Sequence, residues 1–299
     1  MVYLKYFDGE YFIPVTIQDQ TIYAIVDSGS EYLMLVDDSC TSDLCTNVTN
    51  SKQGGVHKYG TLQGGSVKTQ AYGSQINTYN WRRGVIQIGS TKPTQLLYGN
   101  VTKLSMSVQK GTWSTFNVCG LCKSVNYTKQ TVLTQLNVNK WCMQTSGTPA
   151  LEFGKTFNMK EQVPLVEFEG PLLYYVIHVK LSTCNGRQWS GKCIVDTGST
   201  FTSLPTELRN SKTITYTIGS LFRKTVDVSD KNTKFSNEKY MILGNTWMKD
   251  CKMNFDYDNS TFGIQEYTTS QSYMRVPAVS PLAALIIICV ILAFILAFN

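Results

Sequence analysis

The heptapeptide AIVDSGS, Ala24 to Ser30, returns as CIVDTGS, Cys193 to Ser199, and no other feature constrains the fold of this chain as strongly. In both copies two β-branched residues run into an Asp, followed by a small hydroxyl residue, Gly and Ser. An ionised carboxylate at the end of an apolar segment is costly to bury without partners. One copy alone reads as a tight turn at a strand end. Two copies predict two related halves, each contributing one such turn. An apolar-apolar-Gly triplet follows each copy, Val118-Cys119-Gly120 in the first half and Ile242-Leu243-Gly244 in the second. The interval from Asp27 to Gly120 is nearly twice that from Asp196 to Gly244, so the second half is the shorter one.

If the halves are related by an approximate two-fold axis, the turns can meet across it and set Asp27 beside Asp196. Two carboxylates in contact cannot both ionise cheaply, so such a pair holds one proton between them. The ionised partner can draw a proton from a water while the protonated one hydrogen-bonds a peptide carbonyl, which favours direct attack and a tetrahedral diol. Gly29 and Gly198 allow close backbone approach and supply amide donors. Ser30 and Ser199 can bond the outer carboxylate oxygens, and Ser28 and Thr197 can lock one turn to the other.

These residues resemble the pepsin-like family of aspartic proteases over roughly residues 10 to 267. The resemblance implies a mainly β, bilobal acid protease fold with a deep inter-lobe cleft. Its lobes would be residues 1–165, carrying Asp27 and a flap, and a shortened 166–267, carrying Asp196. It implies an aspartic endopeptidase that needs no cofactor and takes a polypeptide substrate. HKYGTLQGGSVKTQAYG resembles the family's flap hairpin, which makes Tyr59, Gly60 and Thr61 candidate substrate-binding residues. It further implies short disulfide loops Cys40 to Cys45 and Cys184 to Cys193. Met34 stands where many members have Trp, and Asn245 where many have Asp. Those departures and the shortened second lobe motivate an alternative, a surface protein that binds peptides without turnover.

Other chemistries are less well supported. Cys119-x2-Cys122 lacks the second ligand pair of a zinc site, so structural disulfides among Cys119, Cys122, Cys142 and Cys251 are expected, with their pairing open, and no metal. His57 and His178 are the two histidines and neither accompanies a nucleophile motif, which disfavours a Ser or Cys protease. The net charge of +6 comes from scattered Lys and Arg without a basic, aromatic-interleaved cluster, so no nucleic-acid partner is expected.

The nine cysteines and the Asn-x-Ser/Thr acceptors Asn47, Asn100, Asn126 and Asn259 favour an oxidising, extracellular or luminal compartment. The opening residues alternate like a strand rather than reading as a signal peptide. After a polar linker, 268–281, the uncharged apolar run 282–298 predicts a transmembrane helix tethering a monomeric body. Small residues Thr268, Thr269 and Ser270 also suit a glycolipid-anchor signal. Cys289 falls inside this run, as a free thiol. Strands are expected at EYFIPVTI, TIYAIV, GVIQIG, YYVIHVKL, KCIVD, TITYTIG and MNFDY, with short helices at PTELRN and TVLTQLNV.

Overall fold

The computed structural model describes residues 1–267 except 19, 38, 41, 43, 46–58, 65, 73–74, 107–116 and 126–129. Residues Met1–Tyr267 form one compact unit. It is mainly β, and every strand expected from sequence is present. The residue patterns explain why. TITYTI, Thr213–Ile218, alternates half-buried and buried positions, the period of a strand with one covered face. LMLV, Leu33–Val36, and NVCG, Asn117–Gly120, are buried at every position, as suits short strands enclosed on both faces.

The sheet order turns the sequence repeat into a structural one. In a nine-stranded sheet, strand Glu10–Ile17 runs antiparallel to Gln20–Asp27, which lies parallel to Asn117–Gly120. That short strand is antiparallel to Leu33–Val36, which is parallel to Thr94–Met106. A seven-stranded sheet repeats the path. Val176–Thr183 is antiparallel to Gln188–Val195, which is parallel to Met241–Leu243; Thr202–Pro205 then runs antiparallel to that strand and parallel to Thr233–Ser236. In both sheets the strand that leads into an aspartate turn lies beside the strand that leads into the glycine of the apolar triplet, ending at Gly120 in the first and at Leu243, just before Gly244, in the second.

A six-stranded sheet joins the halves, in the order Val2–Tyr3, Ala150–Phe153, Lys140–Gln144, Cys251–Asp256, Thr261–Glu266 and Val163–Pro164. Here Trp141 stacks on Phe255 with ring centroids 3.8 Å apart. The Trp141 indole donates to the Tyr175 hydroxyl at 3.0 Å, and that hydroxyl donates to the Leu121 carbonyl at 3.2 Å. All three rings are fully buried, so the indole and phenol each satisfy a polar group the core could not otherwise hold. The Leu121 amide in turn donates to the Asp27 carbonyl at 2.7 Å, connecting this aromatic core to the first aspartate turn.

The two expected short helices are present, TVLTQLNV as the single α-helical turn Val132–Gln135, capped by the Thr131 hydroxyl, and PTELRN as the 3-10 turn Thr206–Leu208. Among the described residues no helix is long and apolar enough to cross a membrane; the run 282–298 and Cys289 lie outside them. Cys40 and Cys45 form the expected disulfide, whereas the expected Cys184–Cys193 bridge is corrected: both are free thiols. Cys193 sits opposite Ile177 in its hairpin while Cys184 lies beyond the other end of that strand. Their separation is therefore on the order of 20 Å, far past a disulfide's reach.

Cys119, Cys122, Cys142 and Cys251 are also free and buried. Cys142 faces Asn254, three positions along the strand from Cys251, roughly 10 Å away. Asn100, an expected glycan acceptor, is 1% exposed in a central strand and leaves no room for a glycan. Asn259 lies exposed at a turn, whereas Asn47 and Asn126 fall outside the described residues.

Candidate active site

Strand Gln20–Asp27 delivers Asp27 at its last position, opposite Gly120. Asp196 follows the end of Gln188–Val195, and its amide donates to the Leu243 carbonyl at 3.0 Å. Gly120 is required by crowding, since a Cβ there would lie 2.5 Å from the Tyr32 amide nitrogen. Gly244 meets the backbone of Phe201 and Ser199 in the same way. The two apolar-apolar-Gly triplets are thus the floors on which the aspartate turns rest.

The turns interlock through reciprocal hydrogen bonds. The Ser28 hydroxyl donates to the Val195 carbonyl at 2.8 Å and accepts from the Thr197 amide at 2.9 Å. The Thr197 hydroxyl donates to the Val26 carbonyl at 2.7 Å and accepts from the Ser28 amide at 3.0 Å. Both side chains are fully buried. This exchange leaves no unpaired donor or acceptor in the contact and fixes the turns against each other.

The carboxyls then lie against the opposing glycines. A Cβ on Gly29 would sit 2.6 Å from Asp196 Oδ1, and a Cβ on Gly198 would collide with the Asp27 carboxyl. The Gly29 amide donates to Asp27 Oδ1 at 2.8 Å and the Ser30 hydroxyl to Oδ2 at 2.6 Å. The Gly198 amide donates to Asp196 Oδ1 at 2.9 Å. Ser199 departs from its expected role, because its hydroxyl donates to the Phe201 carbonyl at 2.9 Å.

That asymmetry sets the electrostatics. Burial pushes the Asp27 carboxyl above the usual range, while bonds from Ser30 and Gly29 pull it back. Burial and then repulsion from Asp27 push Asp196 well above that range, with only the Gly198 amide opposing them among the leading contributions. With two donors on its carboxyl against one on that of Asp196, Asp27 is the better anion of the pair.

Tyr59, Gly60 and Thr61 occupy a different setting. Thr61 pairs with Arg83 at the base of a long ribbon, Arg82 donates to the Gly60 carbonyl at 2.9 Å, and the Tyr59 ring lies against Gly84. The Tyr98 hydroxyl donates to the Tyr59 carbonyl. Strands Lys68–Tyr72 and Gln75–Ile88 carry the ribbon onward as a hairpin. His178 sits exposed on a strand, and His57 lies outside the described residues.

Sequence reasoning missed Glu10 and Thr200, and it treated Asn245 only as a departure from the family. Glu10 is 4% exposed, accepts from the Thr200 hydroxyl, and accepts from Asn245 Nδ2 at 2.8 Å. The same Nδ2 donates to the Thr197 carbonyl at 2.7 Å. The one available signal was a charged residue heading the apolar strand EYFIPVTI. Glu31 was missed too; it is 5% exposed directly after Ser30, and burial raises its carboxyl.

Among the described residues, no group of three or more His, Cys, Asp or Glu side chains could hold a metal ion. A cavity of about 700 Å³ lined by Arg209, Lys212, Lys234 and Phe235 includes neither aspartate. Comparison of the chain with protein-family models and with curated proteins finds no match.

Proposed function

We propose that the chain is an aspartic endopeptidase with a pepsin-like bilobal fold, hydrolysing peptide bonds through a water activated by Asp27 and Asp196. One observation carries this reading: two aspartates from repeated sheet motifs are locked together by the Ser28 and Thr197 exchange, each carboxyl against the other's glycine. Asp27, with more donors, draws a proton from the water. Asp196, holding the shared proton, hydrogen-bonds the substrate carbonyl, and the tetrahedral diol that forms has no covalent bond to the enzyme. Tyr59, Gly60 and Thr61 belong to a ribbon that closes over an extended polypeptide. The body is monomeric, tethered by residues 282–298, and faces the extracellular or luminal side.

The test is peptide hydrolysis by the full chain at acidic pH, with and without a statine-type mimic of the diol. Cleavage blocked by the mimic and lost in Asp27→Asn and Asp196→Asn supports the proposal. Equal cleavage by wild type and both variants defeats it. The Ser199 departure favours a second reading, peptide binding without turnover. Binding of the mimic with no cleavage across pH 3 to 7, roughly the span in which one proton is shared, selects that reading.

A further inference from the structure

Glu10 is a buried acid that the proposed reaction does not use. It opens strand Glu10–Ile17, far in sequence from the second aspartate turn, yet its carboxyl is clamped by two residues of that half. Thr200 holds Oε1, and Asn245 holds Oε2 while also bonding the Thr197 carbonyl. The Asn245 amide nitrogen donates to the Ser199 carbonyl at 2.8 Å, so one asparagine fastens Glu10 to both sides of Gly198. Gly9 allows the approach: its φ is +84°, and a Cβ there would collide with the Thr200 methyl.

The ionisable groups that act most strongly on Glu10 are acidic. Asp8 and Tyr6 lie on its own hairpin, Asp27 on the neighbouring strand, and Asp196 on the second turn. Burial first, and then repulsion from Asp27 and Asp8, raise its carboxyl to about 8 against the hydrogen bonds that oppose them. Glu10, Asp27 and Asp196 therefore form a three-acid cluster in which each charge makes the next harder to form.

We propose that Glu10 is a positioning residue for the aspartate pair: clamped by Thr200 and Asn245, it ties the opening strand to the second turn, and it does so as a neutral acid. Its effect on hydrolysis rests on the peptidase reading. A carboxyl that titrates at about 8 carries no charge in the acidic range in which the pair shares one proton, so it holds the turn without adding another negative charge beside Asp27 and Asp196. A protonated Glu10 can donate from Oε1 to the Thr200 hydroxyl while Oε2 accepts from Asn245. Gln at this position reproduces both bonds without ever ionising.

The first arm of the test is independent of activity. Full-length protein is labelled with 13C at the glutamate carboxyls, and Glu10 is assigned as the resonance lost in Glu10→Gln. Its midpoint is expected well above the ordinary value of about 4.3, and lower by about half a pH unit or more in Asp27→Asn. An ordinary midpoint, or one that Asp27→Asn leaves in place, overturns the coupling. The second arm compares kcat/KM at acidic pH for wild type, Glu10→Gln and Glu10→Ala. Glu10→Ala, which breaks the clamp, is expected to fall about 10-fold or more, and Glu10→Gln, which keeps both bonds, to recover most of that loss. No loss in Glu10→Ala, or an equal loss in both variants, overturns the positioning role. If wild type hydrolyses nothing, the peptidase reading fails and the carboxyl titration alone decides whether Glu10 is coupled to Asp27.

Discussion

Replacing Thr197 by Val removes one oxygen from the centre of the interlock and changes almost nothing else. The two side chains have nearly the same shape, and the position is fully buried. The lost hydroxyl served two backbone groups, donating to the Val26 carbonyl at 2.7 Å and accepting from the Ser28 amide at 3.0 Å. Leaving a buried donor or acceptor unpaired costs about 1–3 kcal/mol each. The methyl that replaces the hydroxyl offsets about 0.8 kcal/mol. The net expectation is a loss of about 3 kcal/mol, which lowers Tm by about 6–10 °C in a protein of this size. Calorimetry at mildly acidic pH measures it. Thr215→Val is the control, because its hydroxyl makes an exposed cross-strand contact with Thr225 at 2.7 Å. That variant is expected to stay within about 0.5 kcal/mol of wild type. Hydrolysis by Thr197→Val is expected to fall about 100-fold, since displacement of a reacting group by about 1 Å carries a penalty of that order. A Tm drop no greater than that of Thr215→Val would refute the view that these hydroxyls hold the turns together.

Three further outcomes follow from the geometry. Gly29→Ala and Gly198→Ala each drive a Cβ into the opposing aspartate and are expected to lower peptide hydrolysis at least about 100-fold; steady-state kinetics on the two variants checks this. Cys184 is exposed and its thiol is lowered by hydrogen bonds from Thr213, so a thiol reagent applied to folded protein is expected to lose one fast-reacting equivalent in Cys184→Ser, while Cys119, Cys122, Cys142, Cys193 and Cys251 react only on unfolding. On expression through a secretory pathway, Asn259→Gln is expected to remove one glycan by gel mobility and Asn100→Gln none, because Asn100 is buried.

What was legible in the sequence was whatever the chain states twice or states locally. The repeated apolar-Asp-hydroxyl-Gly-Ser pattern was enough to anticipate that Ser28 and Thr197 would join the turns, and the bonds between them have that form. Alternating and continuous apolar runs marked the strands because burial imposes the period of the pleat directly on residue choice. Register was not legible. Cys184 and Cys193 are close in sequence but occupy opposite ends of a hairpin, and Asn100 carries a surface motif in a strand covered on both sides. Glu10 was invisible for a related reason: its partners Thr200 and Asn245 are brought to it by tertiary structure, and a single charged residue at a strand start resembles any solvated edge position. Ser199 followed the motif yet turned to Phe201, because a hydroxyl takes whichever acceptor its rotamer reaches.

The six-stranded sheet gives the chain an order of assembly. Its strands come from residues 2–3, 140–164 and 251–266, so its hydrogen-bond ladder has no complete version in any shorter piece. Strand Lys140–Gln144 has to await Cys251–Asp256 before Trp141 can stack on Phe255 and brace Tyr175 against Leu121, the residue that holds the Asp27 carbonyl. During synthesis both aspartates leave the ribosome long before that clasp can close. A nascent chain stopped short of residue 251 should carry both acids and cleave nothing, and release from that state should be a single late, slow step governed by closure of a long loop.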